Sequence, residues 1–266
     1  MQLTPSSPDE SPDRTEGPRP YSYTQASTFS VCPRRYYYAY ELEIRMPPPI
    51  VMIQGQIVHR VLEKAHKELI LRAMPPLKDL LEYNEAEFKA VDDASLDSGD
   101  SLEKAHQESR KMVRVYYNGP YQDVVPLEAE VRFDTQISTE WGTRPICGVI
   151  DLVELPSRPT HVWDIKVSRR PWTAAEARTS AQLALYAAQK GTGKVGVIHL
   201  IRSGHAELVP VELTAAEIEN GLAWLRDAIA GIEMCREKNF WPRTDRQNIL
   251  CSPRYCGYYR ICYAEA

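Results

Sequence analysis

No apolar run in this 266-residue sequence approaches the roughly 20 residues that a bilayer-spanning helix requires. The opening stretch, MQLTPSSPDESPDRTEGPRP, lacks the apolar core of a secretory signal and reads as a Pro/Ser-rich tail, expected to be disordered. A cytoplasmic location without a membrane partner is the expectation that follows. An excess of basic charge is missing too: 32 Lys and Arg against 36 Asp and Glu leave a net charge of −4, so any nucleic-acid surface must be local. Internal repeats are absent, which excludes solenoid and propeller architectures. What remains, 43% hydrophobic and 26% charged residues, suits a globular chain long enough for a sizeable core.

A short helix is predicted from about Thr24 or Ser27 past Cys32, and MPPPI then breaks the chain. Ile57, Val61, Leu62, Ala65, Leu69 and Ile70 form one stripe of a helix over residues 54–73, with further helices over 77–91 and 101–118. The acidic stretch holding Asp92, Asp93, Asp97 and Asp100 links those two. Residues 129–137, 144–155 and 160–168 read as strands, rich in Val, Ile and Trp. Thr173 and Thr214 each precede a Glu by three residues, a capping box; the helices they start run to about Lys190 and Lys238. Strands are expected between them at 195–202 and 207–213, with an irregular segment after Trp241. The order predicts an α/β or α+β core preceded by a helical insertion.

Pro156-Ser157-Arg158-Pro159 reads as a tight turn between two antiparallel strands. Centring the turn between Ser157 and Arg158 places Asp151 opposite Asp164, on one face of the pair. Like charges there repel unless a cation lies between them, and hard oxygen donors suit Mg²⁺ or Mn²⁺. Lys166 shares that face, while Trp163, Ile165 and Val167 point into the core. Such a group can hydrolyse a phosphodiester: the metal activates water and the lysine stabilises developing charge. Alone, the Asp-x-Lys triplet reads more simply as a surface salt bridge.

Further segments occur in a telling order: YSYTQASTFSVCPRRYYYAY, Gly55-Gln56-Ile57-Val58-His59, Gly148-Val149-Ile150-Asp151, Asp164-Ile165-Lys166 and Gln182-Leu183-Ala184-Leu185-Tyr186. Together they resemble the RecB-type exonuclease branch of the PD-(D/E)XK superfamily, over roughly residues 21–266. The resemblance implies a restriction-endonuclease-like core, a central mixed sheet flanked by helices. It makes His59, Asp151, Asp164 and the Ile165 carbonyl ligands of Mg²⁺ or Mn²⁺, and Lys166 the catalytic lysine. Gln182 and Tyr186 become a helical pair beside the site, spaced i, i+4. Glu130 either assists there or faces solvent, and His66, one heptad past His59, reads as a packing or surface residue with no role at the site.

Three of the six cysteines lie in the last 16 residues, as Cys251, Cys256 and Cys262 with C-x4-C-x5-C spacing. In a reducing compartment such clusters bind zinc or Fe–S when a fourth ligand, best supplied by Cys32, completes them; free thiols are the alternative. Several RecB-type nucleases resemble this layout, one upstream cysteine and three at the C-terminus holding a 4Fe–4S cluster that joins the chain ends. The sequence departs from their commonest triplet by two extra residues between the first two cysteines. Cys147 and Cys235 read as buried small hydrophobes.

The expected organisation is a tail (1–20), a segment with the first cluster cysteine (21–45), a helical region carrying the ligand histidine (46–120), a nuclease core (121–240) and a cysteine region (241–266). Arg34, Arg35, Arg169 and Arg170 are candidate DNA contacts, with Arg254, Arg260 and the interleaved tyrosines near both ends as a local basic-aromatic surface. The activity so implied is metal-dependent DNA hydrolysis, on single strands or ends, in repair, recombination or CRISPR adaptation. With no GxxxxGK(S/T) motif, unwinding falls to a helicase or other partner. The competing readings are a catalytically silent DNA-binding or recombination-accessory subunit, and a zinc- or Fe–S-dependent scaffold.

Overall fold

The computed structural model describes residues 19–92 and 101–264. The N-terminal tail expected before residue 19, and Asp93, Asp97 and Asp100 of the acidic linker, lie outside them. The described chain runs β1 (Tyr21–Ser22), α1 (Tyr23–Val31), α2 (Pro33–Tyr36), α3 (Ile50–Ile70), α4 (Leu77–Lys89), α5 (Leu102–Tyr117), β2 (Pro126–Thr139), β3 (Gly142–Glu154), β4 (Val162–Ser168), α6 (Ala174–Arg178), α7 (Ala181–Lys190), β5 (Lys194–Ile201), β6 (His205–Glu212), α8 (Ala215–Lys238) and α9 (Tyr259–Ala264). A π-helical turn follows α2 at Tyr37–Glu41.

The strands form one mixed sheet of order β1-β3-β4-β5-β6, with β2 antiparallel to β3. Helices cover both faces. The N-terminal segment, α7 and α8 share one apolar cluster with the sheet, and α3, α4 and α5 share the other. Ile57, Val58, Val61, Leu62 and Ala65 of α3 are at most 2% exposed, and burying each larger side chain stabilises the fold by roughly 1.5–3 kcal/mol. Among the described residues no helix is long and apolar enough to cross a membrane.

The β3–β4 register is the one the turn predicts: Leu152 faces Trp163 and Val153 faces Val162. β2 occupies one edge of β3 along its whole length. The other edge is shared, by β1 at Ile146–Cys147 and by β4 at Leu152–Val153. Residues 148–151 therefore lack a strand partner on that edge, and the two strands part just where Asp151 and Asp164 would meet.

Several elements differ from expectation. The helix expected from Thr173 to Lys190 is two, because the Ser180 side chain accepts the Leu183 N–H and starts a new helix. The N-terminal helix stops at Cys32, whose extended backbone precedes Pro33. The segment after Trp241 contains α9, and the strand expected from Thr160 begins at Val162.

Candidate active site

Side chains fill the interruption in β3. One Asp151 oxygen accepts the Ile165 backbone N–H at 2.6 Å, replacing a missing ladder bond, and the other lies 3.3 Å from His59 Nδ1. Tyr186 OH donates to the Val149 carbonyl at 2.6 Å and receives the Gln182 amide N–H at 2.8 Å. Gln182 Oε1 accepts from Lys166 Nζ at 2.7 Å, and that ammonium stands 2.7 Å from Asp164 Oδ2. The Lys166–Asp164 contact is a buried ion pair, with Asp164 only 2% exposed. A relay thus runs from the β3 backbone through α7 to the Lys166 ammonium.

Local sequence explains the placement. Gly148 is required because a Cβ there would lie 2.5 Å from the Phe133 ring, which crosses β3 and meets Tyr186 edge-on at 6.0 Å. Gln182 and Tyr186, one helical turn apart, both reach the interrupted edge from α7. His59 arrives from α3, whose buried stripe fixes its rotation against the sheet.

Glu130 stands closer to the site than its sequence context suggests. It has φ +54° within β2, between Ala129 paired with Leu152 and Val131 paired with Ile150. A non-glycine residue in that region costs on the order of 1 kcal/mol or more. Ligand atoms of His59, Glu130 and Asp151 all lie within 4.8 Å of one another, a grouping that does not include Asp164, whose carboxylate is engaged by Lys166. The only sequence signal was an acid on the strand beside the Asp151 motif. Glu63, four residues after His59, lines the same cavity, as does Cys147. The thiol of Cys147 is half-buried, not enclosed in the core as expected, whereas Cys235 is buried.

The electrostatics mark crowded negative charge. Burial, then Asp151 and Glu63, push the Glu130 carboxyl up to about 7. Burial outweighs the pull of Lys166 and raises Asp164 as well, with Asp151 adding to the rise. Burial also opposes ionisation of Asp151, but the His59 hydrogen bond and charge, the Ile165 N–H and Lys166 hold it below the ordinary range. His59 and Lys166 are both held above their ordinary values against burial, by Asp151 and by Asp164 respectively. A histidine nitrogen, two close carboxylates and a carboxyl resisting ionisation fit a hard divalent cation, which would relieve the repulsion. The surrounding cavity, about 1050 Å³, opens to solvent and reaches from Tyr23 and Met52 to Lys166.

Other predicted residues divide. Cys32, Cys251, Cys256 and Cys262 line one common cavity, into which Arg34 and Arg35 also face. Burial raises the Cys256 thiol, and nearby Cys32 and Cys251 add to the rise. Tyr36 and Tyr38 are buried: Tyr36 stacks on Trp241 and Tyr38 on Tyr258, so these tyrosines join the chain ends rather than offer a surface. Arg170 is committed to Glu176 through two contacts at 2.6 and 3.0 Å, whereas Arg169 is exposed.

Comparison with known proteins agrees with this architecture. No curated protein matches the sequence. Among solved structures, a candidate exonuclease from Eubacterium rectale is similar over 87% of this chain and 86% of that one, with 10% identity and a TM-score of 0.53. The crystal structure of SSO0001 is similar over 95% and 90%, with 16% identity and a TM-score of 0.45. The family model described as the PD-(D/E)XK nuclease superfamily matches residues 20–263. Spanning nearly the whole chain, that match together with the mixed sheet and its helices shows that this protein belongs to the PD-(D/E)XK nuclease superfamily.

Proposed function

We propose that this chain is a divalent-metal-dependent DNA exonuclease of the RecB-type branch, acting on single strands or DNA ends. The observation that carries the reading is the convergence of His59, Glu130 and Asp151 beside the Asp164–Lys166 pair in one open cavity. The fold it shares with a candidate exonuclease is in keeping with it.

His59, Asp151, Asp164 and the Ile165 carbonyl would hold Mg²⁺ or Mn²⁺, with Glu130 as a further oxygen donor. When bound, such an ion polarises a phosphoryl oxygen and lowers the pKa of its water. The chain's own groups do the rest. Asp151 orients His59 and fixes the Ile165 backbone through its two oxygens. Lys166 carries a positive charge to the reacting phosphate, where charge develops on the oxygens. Gln182 and Tyr186 hold that ammonium at a fixed place over the cavity, so little reorganisation is needed during reaction.

The four cysteines form the second part of the reading. Their donor set is all sulfur, which suits a 4Fe–4S cluster, with zinc the alternative. The cluster would be structural, joining residues near position 32 to the last helix. DNA is the partner, and a helicase or recombination protein would supply unwinding.

The test is incubation with Mn²⁺ of end-labelled linear single-stranded, linear double-stranded and circular single-stranded DNA. Linear substrates should lose nucleotides from an end, circles should survive, and EDTA should stop the reaction. Linearised circles would make the enzyme an endonuclease. Intact substrates throughout would reject the nuclease reading.

A further inference from the structure

The catalytic cavity is a poor place to gather a polyanion. Glu63, Glu130, Asp134, Asp151 and Asp164 all line it, against Arg60, Arg132 and Lys166, of which Arg60 is paired with Glu87 at 2.7 Å and Lys166 with Asp164. Acids outnumber the cations there, so phosphates flanking the reacting one gain from a more basic surface nearby. A second groove, about 470 Å³, continues from the cavity across the first turn of α3, with Val51 lining both. Lys104 of α5, Arg169 after β4 and Arg202 after β5 line it. Among the described residues its one lining acid, Glu108, accepts a hydrogen bond from Gln54 at 3.1 Å.

The loop that carries Arg169 is pinned from beneath. His199, fully buried on β5 and paired across the sheet with Lys166, accepts the Trp172 backbone N–H at its Nε2, 2.9 Å away. Ser168 Oγ donates to the Arg170 carbonyl at 2.5 Å, and the Arg202 N–H donates to the Ser168 carbonyl at 3.1 Å. These bonds fix residues 168–172 so that Arg170 turns to Glu176 while Arg169, three residues past Lys166, lines the groove. Two adjacent arginines thereby have different fates, which their sequence alone does not separate.

We infer that this groove is the track for the nucleic-acid strand flanking the scissile bond, with Lys104 and Arg169 holding successive backbone phosphates. The inference rests on the nuclease reading and adds to it the route of the strand. It also gives the helical insertion a role, since α5 supplies one wall. Because the cations meet phosphates and not bases, binding here is independent of sequence and weakens with salt.

The experiment measures binding of a labelled single-stranded oligonucleotide in Ca²⁺ across a salt series, and in parallel Mn²⁺-dependent cleavage. The proteins are wild type, the double variant Lys104→Gln/Arg169→Gln, and a charge-matched control, Lys78→Gln/Arg226→Gln. Both groove side chains are exposed, so the double variant should melt with wild type. It should bind roughly tenfold more weakly, with a log–log salt slope shallower by about 1.4, the value for two lost single-strand phosphate contacts. The control should match wild type in both. Wild-type cleavage with unchanged affinity and slope in the groove variant overturns the track and leaves the nuclease reading standing. Weakened binding by the variant with no cleavage by wild type supports the track and rejects the nuclease. Equal weakening in variant and control overturns the track as a specific route.

Discussion

At the scale of single residues, Asp151 joins the site to the sheet. Its carboxylate completes a backbone bond that β4 cannot make and at the same time orients His59, so the strand gap and the donor group have one cause. His66, one heptad further along α3, has the opposite character. It is fully buried, with Nε2 2.7 Å from the Tyr116 hydroxyl and Nδ1 unpartnered, and burial pushes its pKa down to about 4. The folded chain therefore binds a proton there less readily than the unfolded chain, so the contribution of His66 is complete above about pH 6.5 and is lost as pH falls toward 4. Over that window the loss amounts to roughly 3 kcal/mol. Urea unfolding at pH 7.5 and pH 5 checks it: wild type should lose about 2 kcal/mol more than His66→Gln between the two. Identical pH dependence in both proteins would count against this account of the buried ring. Of the two plain roles the sequence left open for His66, packing and surface, its burial selects packing. Glu130 was harder to weigh, because its closeness to His59 and Asp151 depends on a left-handed backbone at φ +54° that no residue pattern announces.

At the scale of elements, legibility followed periodicity. The β3–β4 register could be derived because a period of two and a Pro-flanked turn leave little freedom, and Leu152 opposite Trp163 is what that arithmetic requires. The long helices α3 and α8 were legible from an apolar stripe and a capping box. β1 was not, since two residues carry no period and its parallel pairing with Ile146 and Cys147 is purely tertiary. Nor was the break between α6 and α7, where Ser180 competes as a cap inside an otherwise helical run. That break aims α7 separately from α6. Gly221 of α8 then lets α7 approach closely, because a Cβ there would lie 2.3 Å from that of Ala184. Lys166 owes its place to this packing through Gln182, which the spacing of Gln182 and Tyr186 suggested but could not orient.

At the scale of the molecule, the chain ends are drawn together by contacts far apart in sequence. Tyr36 and Tyr37 stack on Trp241, Tyr38 stacks on Tyr258, and Arg236 bonds Glu41 at 2.7 Å. The shared cysteine cavity lies in the same region. If a cluster binds there, part of its binding energy is folding energy. Cys256→Ser, purified without oxygen, should lose the brown absorbance of the wild-type protein and its iron, and should melt several degrees lower. Full retention of both colour and melting temperature would remove the cluster from the account. Spacing grouped the three C-terminal thiols and Cys32 was added as the best fourth; all four line one cavity. The tyrosines were open to two readings, core or binding surface, since composition does not distinguish a solvated aromatic from one that zips two segments together.

The proposed hydrolysis of DNA rests on Asp151, Asp164 and Lys166, with His59 and a divalent cation. Single-turnover cleavage of a labelled linear strand in Mn²⁺ tests it most directly, comparing wild type with Asp164→Asn and Lys166→Ala, each checked for a native melting transition. Each variant should lose about 100-fold or more in rate, the scale on which removing one charge-stabilising group acts. Cleavage by folded Asp164→Asn and Lys166→Ala at the wild-type rate would contradict it.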